Sequence, residues 1–481
     1  MKKIYLILFL FTLTLSGTAQ TTLTLDSCRA MALRNNKSLL ASRARIQKSQ
    51  YDRKAAHTAY LPKVALTAGY MRTGDEISLL SDDQKSRLSS LGTNAAGALQ
   101  QAAGQIVQQM PDLAPLVQSL GTGLAPVLDQ AGQQLVDALR TDTRNLFVGN
   151  VSLTQPLYMG GKIRAYNRIA HYAEAVAGQQ LRADEQEVVL SVDQAYWQVV
   201  SLTEKKKLAE QNLSLLTRID SDMQKMVAEG VATKANALTV SVKLNEAEML
   251  LTRVDNGLSL ASMLLCQLCG LPLDSRPRLS DAGLDDLPAP AAADTLTAYA
   301  RRPELVQLET AVGIYDEKVR VARSAALPQL ALMGGYLATT PSLSNGFENK
   351  LRGTWSVGVM LNVPIWTWGE HRYKIRSAKA DAEVARYGLE DAREKIALQV
   401  NQTAFQTQEA AKRLRLTLKN REKAEENLHT ATAGFKEGVV TTSDLLAATT
   451  AWLQAQTEVV DARIDVKLAD ACLHKALGTL R

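Results

Sequence analysis

The segment FVGNVSLTQPLYMGGKIR at residues 147–164 returns as WSVGVMLNVPIWTWGEHR at residues 355–372, 208 residues further along the chain. The segment AEGVATKANAL at residues 228–238 returns as KEGVVTTSDLL at residues 436–446, again after 208 residues. One spacing shared by two separate pairs of segments indicates a duplicated structural unit. The chain therefore consists of two copies of one fold.

The duplication extends upstream, where AYLPKVALTAGY at residues 59–70 matches AALPQLALMGGY at residues 325–336 after 266 residues. Because 266 exceeds 208 by 58, the first copy holds 58 additional residues between its two strands. Each copy reads as a helix, a proline-led strand, a connection, a strand ending in proline, and a long helical stretch. We assign residues 20–271 to the first repeat, 272–294 to a linker and 295–481 to the second repeat.

The N-terminus has the pattern of a secretory signal at residues 1–19, with Lys2 and Lys3 before the apolar run Ile4–Leu15 and small residues ending at Ala19. That run is too short to span a bilayer, and no other stretch approaches ~18 consecutive apolar residues. If an exported chain of this kind meets a membrane, it must do so through strands. The net charge of +6 is spread without a basic block, which argues against a nucleic-acid partner.

Catalytic and metal-binding patterns are missing from the sequence. Cys266 and Cys269 have CxxC spacing, which could be redox-active or half a zinc site, but they lie in an apolar helical run and are better read as buried structural thiols. The histidines lack metal-ligand spacing. No nucleophile and base form a recognisable motif, and no phosphate loop is present. We therefore predict a protein that is not an enzyme and holds no metal or cofactor.

The repeated strands alternate in polarity. In residues 355–363 the odd positions carry Trp, Val, Val, Leu and Val, whereas the even positions carry Ser, Gly, Met and Asn. Such alternation favours a strand with one face in lipid and one toward water, although a soluble sheet with one wet face has the same pattern. Four strands cannot close a membrane barrel, and open edges in lipid leave backbone groups unpaired. If these strands span a membrane, several chains must share one barrel.

Two proline-free helical stretches, residues 163–228 and 371–436, are each 66 residues long, or about 100 Å at ~1.5 Å per residue. Return helices at 233–268 and 441–476 would complete two helical hairpins. Their broad, alanine-rich apolar stripe favours a tube of many helices, although the spacing also fits a rod.

Both hairpin turns have recognisable end signals. Gly230 and Gly438 suit the left-handed position after a helix. Thr441-Thr-Ser-Asp444 reads as a capping box that opens the next helix, so helix initiation is the simplest role of Asp444. The first copy keeps the cap at Thr233 and replaces the acid by Asn236.

The chain resembles the TolC family of outer-membrane efflux and secretion channels in a series of motifs that is present twice. The motifs are a strand that follows proline, a strand that leads into proline, an aromatic residue and glycine, a long helix, a G-V-x-T turn, and a return helix ending in Leu-Gly. The resemblance implies a mainly α-helical fold with a membrane β-barrel contribution. In that fold a homotrimer pools four strands per chain into a twelve-stranded barrel above a periplasmic helical tunnel.

The same resemblance implies a passive exit duct for small molecules in the outer membrane, in contact with its lipid and extending into the periplasm. The duct would belong to a tripartite efflux pump, with a periplasmic adaptor and an inner-membrane transporter of the RND type. An exit duct for type I protein secretion and, in a different class, a periplasmic coiled-coil scaffold are the alternatives.

Specific roles also follow from the resemblance. Adaptor docking at the periplasmic tip falls on the turn residues Gly230, Val231, Thr233, Gly438, Val439 and Thr441. The family's pore gate falls on Asp444, Ala447, Val440 and Asn236. Only Asp444 keeps an acid there; Val440 and Asn236 stand where the family has an arginine and its carboxylate partner, so these positions lack the residues of the polar latch. The junctions between barrel and helices fall on Pro62, Pro156, Pro328 and Pro364.

The additional segment, residues 75–144, belongs to this chain's first copy alone. It connects paired strands on the side opposite the helices, which would be the cell exterior. Apolar residues recur in it near helical spacing, interrupted by Pro111, Pro115 and Pro126, and it contains no aromatic residue. We expect short amphipathic helices over the pore mouth, with a mobile loop as the alternative.

Overall fold

The computed structural model describes residues 22–74, 80–109, 114–139, 144–280, 295–342 and 349–480. The predicted signal sequence and most of the predicted linker lie outside these ranges. Two compact units are present. A helical unit contains residues up to 56 together with 165–320 and 372–481, and a sheet-containing unit comprises 57–164 and 321–371.

Helices account for most of the chain. In order they are α1 (Leu25–Asn35), α2 (Lys37–His57), α3 (Asp82–Ser89), α4 (Leu91–Gln109), α5 (Ala114–Ala138), α6 (Lys162–Ala228), α7 (Lys234–Cys269), α8 (Thr295–Arg301), α9 (Pro303–Ser324), α10 (Glu370–Lys436) and α11 (Thr442–Ala476). The strands are β1 (Lys63–Arg72), β2 (Asn145–Met159), β3 (Gln329–Thr340) and β4 (Arg352–Asn362). Among the described helices, none is both long and apolar enough to cross a membrane.

The duplication is confirmed at the level of helix ends. Helix α6 begins at Lys162 and ends at Ala228, and α10 begins at Glu370 and ends at Lys436, so both ends are separated by the same 208 residues. Each helix has 67 residues, which corresponds to about 100 Å. The long helices predicted from the proline-free stretches are therefore present with nearly the predicted bounds.

Ion pairs join the antiparallel helices within each hairpin. Lys206 on α6 lies 2.7 Å from Asp255 on α7. Near the equivalent position of the second hairpin, Arg413 on α10 lies 2.8 Å from Asp465 on α11. The helices before the strands pack in the same repeated way, α2 along α6 and α9 along α10. The unit thus contains two copies of one helical arrangement.

The four strands form one antiparallel sheet in the order β1-β2-β3-β4. Its register aligns Leu66, Val151, Tyr336 and Trp355 in a row across all four strands. Side chains at alternate positions share a face, so the adjacent row of small and polar residues, Ala65, Ser152, Gly335 and Ser356, points to the other side. The predicted division of β2 and β4 into an apolar and a polar face is confirmed by this register.

The prolines lie differently in the two copies. Pro62 and Pro328 immediately precede β1 and β3, as predicted, and Pro364 follows the end of β4. Pro156, however, lies inside β2, which continues to Met159, so the prediction that this strand ends at proline is wrong. The register shifts between Pro156 and Tyr158. Proline has no N–H for the ladder, and a β-bulge accommodates it without ending the strand.

The cysteines are free thiols, and Cys28, Cys266 and Cys269 are buried in the helical unit. Hydrogen bonding to Cys269 and burial raise the pKa of the Cys28 thiol, and burial raises the pKa of Cys266. The hydrogen bond with Cys28 lowers the pKa of Cys269, the other member of the CxxC pair. The burial of Cys266 and Cys269 inside the helical packing, and not their pKa values, agrees with the interpretation of the pair as packed structural residues.

Candidate functional site

The turn after α6 is a helix end closed by Gly230, whose φ is 71°. The Gly230 N–H donates to the Val227 carbonyl oxygen at 3.1 Å, and the Val231 N–H donates to the Met226 oxygen at 2.8 Å. These two bonds define a Schellman motif, which satisfies the last carbonyl groups of the helix. Glycine is favoured here because other residues reach this φ only with strain.

The turn after α10 repeats this geometry. Gly438 has a φ of 76°, and its N–H donates to the Phe435 oxygen at 3.1 Å. The Val439 N–H donates to the Gly434 oxygen at 2.8 Å. A side chain added at either glycine would meet no atom within 4 Å. Both turns are therefore rigid in backbone conformation and open toward their surroundings.

Threonine caps the helix that follows each turn. Thr233 Oγ1 accepts from the Asn236 N–H at 3.3 Å, and Thr441 Oγ1 accepts from the Asp444 N–H at 3.2 Å. The Thr441 hydroxyl donates to Asp444 Oδ2 at 2.7 Å. The prediction of a full capping box is half right, because the carboxylate accepts from the hydroxyl and not from the Thr441 backbone N–H. The short Asp side chain extends only to the Thr441 hydroxyl, whereas a longer Glu or Gln at this position reaches the backbone N–H of the capping residue.

A single apolar cluster holds the ends of both hairpins together. Met223 from α6, Val240 from α7, Ala431 from α10 and Leu445 from α11 all belong to it. These four residues are buried. Since the turns follow directly from helices that share this cluster, both turns lie at the same end of the helical unit. No sequence pattern indicated this joint core.

Two valines protrude from the turns. Val231 is 70% exposed and Val439 is 82% exposed, and they occupy equivalent positions in the two repeats. Each follows the left-handed glycine, so its backbone is held by the Schellman bonds described above. Apolar side chains fixed on a rigid turn lose little entropy when a partner covers them. The pair has the properties of a contact surface.

The residues assigned to the gate divide into two groups. Asp444 and Ala447, three residues apart on α11, are exposed on the first turns of that helix. Val440 is half-buried, packs against Gly434 and belongs to the shared cluster. Asn236 is half-buried at the start of α7. The start of a helix favours a negative charge, so Asp444 is placed where its carboxylate is electrostatically stabilised.

Sequence reasoning missed a polar contact close to this site. Ser241 on α7 donates to Asp220 Oδ1 on α6 at 2.8 Å, and it ties the first hairpin together near its turn. The two residues are far from any motif, and their pairing depends on the antiparallel register of the hairpin. Only the helix lengths, taken together with the turn position, would have suggested it.

The sheet presents a second candidate surface. Every residue of β1 and β4 is exposed, including Leu66 and Trp355 of the apolar row. Within the part of the chain that the structure describes, no further strand pairs with the outer edge of β1 or β4. Such edges offer unpaired N–H and C=O groups to another chain. In the same described ranges, no group of three or more His, Cys, Asp or Glu residues could hold a metal ion.

A family model described as outer membrane efflux protein matches residues 29–271 and 297–479. The alkaline protease secretion protein AprF of Pseudomonas aeruginosa is 26% identical over 347 residues, which cover 69% of this chain and 70% of AprF. The outer membrane protein TolC of Escherichia coli is 23% identical over 354 residues, 70% of each chain.

Solved structures show the same fold. The outer membrane protein VceC of Vibrio cholerae has a TM-score of 0.70 at 16% identity and covers 94% of this chain and 96% of its own. The open state of the MtrE outer membrane channel of Neisseria gonorrhoeae has a TM-score of 0.69 at 18% identity, with coverage of 95% and 89%.

Proposed function

The chain belongs to the outer membrane efflux protein family, the TolC family, and from this premise we propose that three copies assemble into one passive duct that carries small molecules out of the cell. The chain is an outer-membrane exit duct that extends into the periplasm. The proposal adds the trimer, the partners that deliver cargo, and the residues that dock and gate.

The open sheet is the observation that supports the trimer. Within the described residues, one chain supplies four strands, with an exposed apolar face and two unpaired edges, β1 and β4. Unpaired backbone groups in the hydrocarbon region cost several kcal/mol each, so the edges must be paired in a membrane. Pairing β1 of one copy with β4 of the next closes twelve strands in three copies. The apolar row would then face lipid.

The two turns supply the proposed docking surface at the periplasmic end. Gly230, Val231 and Thr233, with Gly438, Val439 and Thr441, would contact the hairpins of a periplasmic adaptor. An inner-membrane transporter of the RND type would supply the energy. Three copies of Asp444 would form a negative ring at the narrow end of the tunnel. Val440 stands where the family has the arginine of the latch, and its side chain packs into the apolar cluster. This supports a gate that closes without an arginine–carboxylate pair.

A second candidate is a duct for type I protein secretion, and the similarity to AprF favours it, since that relative is a protease secretion protein. Specificity in either system would reside in the transporter. A strain lacking the gene separates the two. Loss of resistance to small toxic compounds supports efflux, whereas loss of a secreted polypeptide with unchanged resistance supports secretion.

Membrane extraction and native mass spectrometry test the duct itself. We expect the protein to stay in the membrane fraction after carbonate and urea treatment, and to run as a trimer in detergent. A periplasmic scaffold would instead be released by carbonate. A stable monomer in lipid would contradict the shared barrel.

A further inference from the structure

The insertion between β1 and β2 is a folded helical module. Asp129 on α5 accepts from the Gly92 N–H at 2.6 Å and from the Thr93 N–H at 3.0 Å, so it caps the start of α4 from a neighbouring helix. A side chain at Gly92 would collide with the Ala125 carbonyl oxygen, and one at Gly132 with the Leu88 oxygen. Such close backbone contacts fix α5 against α3 and α4. The expectation of helices, and not a loop, is confirmed for the described residues.

Helix α5 carries two separate apolar faces. The first, which includes the buried Gly121 and Gly132, packs against α3 and α4. The second has spacings of four, four, three, four and four residues and consists of Leu116, Leu120, Leu124, Val127, Ala131 and Leu135. Its five large side chains are 46–60% exposed. The polar face is formed by Ser119, Thr122, Gln130, Gln133 and Asp137.

We propose that this second face, the α5 stripe (Leu116, Leu120, Leu124, Val127, Ala131 and Leu135), packs against the α5 stripes of the other two copies and forms a three-helix cap that narrows the outer mouth of the duct. The inference rests on the proposed trimer. The spacings average about 3.8 residues, slightly more than one helical turn, so the stripe winds slowly around α5 and identical helices packed along it would cross in a right-handed sense. A continuous apolar stripe about 28 Å long, at ~1.5 Å per residue, is suited to such a seam.

A lipid surface is a poorer occupant on chemical grounds. Helices that lie on membranes carry Lys or Arg on the polar face and often Trp or Phe on the apolar one. Helix α5 contains neither basic nor aromatic residues, and its two charged residues, Asp129 and Asp137, are both acidic. Negative charge is repelled by anionic headgroups. The composition therefore disfavours membrane attachment.

Another copy of the same stripe fits better. The insertion leaves the sheet at Arg72 and returns at Asn145, which are paired residues at one end of the sheet. Three barrel-forming chains would bring three insertions around one axis at that end. The stripe has no charged residue, so identical copies meet without repulsion. Between Arg87 and Asp129 the sequence has a single charged residue, Asp112, so little charge opposes the approach of identical copies along this part of the module.

Engineered cysteines test the seam in the full-length protein. We expect Leu124→Cys, on the stripe, to form disulfide-linked dimers between copies when the detergent-solubilised trimer is oxidised. Gln130→Cys, on the polar face of the same helix, should stay monomeric on a denaturing gel. The wild type, with its own cysteines, sets the background. A trimer by native mass spectrometry with no Leu124→Cys cross-link would overturn the cap and leave the duct intact.

Conductance gives a second, independent measurement. Leu120→Asp combined with Leu124→Asp should separate the three helices by repulsion and raise the single-channel conductance in a planar bilayer. Gln130→Asp, with one added charge on the polar face, should leave conductance at the wild-type value. Unchanged conductance in the double variant would contradict the cap. Quenching of a fluorophore at Leu124→Cys by lipid-soluble quenchers would assign the stripe to the membrane, and absence of any trimer would refute the proposed function itself.

Discussion

Trp368 occupies the position in the second repeat that Gly160 occupies in the first, and both have a left-handed backbone, with φ of 51° and 61°. Gly160 is crowded, since a Cβ there would lie 2.7 Å from the Ser324 carbonyl oxygen. Trp368 is 85% exposed, and its ring packs edge-on against Trp366 with centroids 5.6 Å apart. The second repeat therefore keeps a strained backbone where it carries a large side chain.

Substitution at this pair should affect stability unequally. Trp368→Gly relieves about 1–2 kcal/mol of backbone strain, but it removes the contact with Trp366 and adds the entropy cost of a glycine, so we expect a net change within about 1 kcal/mol. Gly160→Ala adds both crowding and backbone strain, and should destabilise by more than that. Thermal unfolding in detergent compares the two variants with the wild type. Equal transition temperatures for Gly160→Ala and the wild type would argue against the crowding.

Arg29 and Asp193 form a two-bonded ion pair between α1 and α6, with Nε–Oδ1 and Nη2–Oδ2 distances of 2.7 and 2.6 Å. The Asp193 side chain is 1% exposed. Arg29→Leu leaves that carboxylate buried without its partner, and we expect a loss of about 3–5 kcal/mol in unfolding free energy near neutral pH. Arg29→Leu combined with Asp193→Leu should regain most of the loss.

The stability of the Arg29→Leu variant should depend on pH. Burial raises the pKa of Asp193, and the bonds from Arg29 oppose that rise. Without Arg29 the pKa of Asp193 rises further, so the folded state binds the proton more tightly than the unfolded state does. Stability of the variant is then retained at low pH and lost as pH rises through the folded pKa. Denaturant titrations should show a smaller loss at pH 4 than at pH 7; a loss independent of pH would exclude this account.

The hairpin turns give a prediction on export. Gly438→Glu places a charged side chain in the open space beside Val439 and strains the left-handed backbone by about 1–2 kcal/mol. We expect trimers to form while resistance in a deletion strain is lost, because docking is blocked. Gly388→Glu is the matched control, since Gly388 is an exposed glycine within α10 whose added side chain would meet no atom within 4 Å. Full resistance with Gly438→Glu would refute docking at this turn.

Asp444 gives a prediction on ion selectivity. A ring of three carboxylates concentrates cations in a narrow opening. Wild-type channels in a planar bilayer should prefer cations and be blocked by multivalent cations, and Asp444→Asn should weaken both effects. Asn also serves as a helix-capping residue, so the structure of the turn should be kept. If selectivity and block are unchanged, Asp444 acts as a helix-start residue and the constriction lies elsewhere.

Local patterns were sufficient to predict most of the fold. Alternation located the strands and their faces, and glycine and threonine marked both turns within one or two residues. Two features were not predicted, because one depends on how the backbone adapts and the other on how far a side chain extends. They are the β-bulge at Pro156 and the hydrogen bond from the Thr441 hydroxyl to Asp444. The pairing of Arg29 with Asp193 joins residues 164 positions apart, which periodicity within one segment does not relate. The cluster shared by both hairpins arises from the same long-range packing.

The equal length of α6 and α10 restricts how this molecule can change. Both helices have 67 residues, and their far ends close on one common cluster. A deletion of two turns in α6 alone would draw the first hairpin's contribution out of that cluster and place Val231 and Val439 at different heights. The two helices must therefore keep the same length if the two turns are to stay level. The reach of the duct across the periplasm can therefore evolve only in matched increments, one in each repeat.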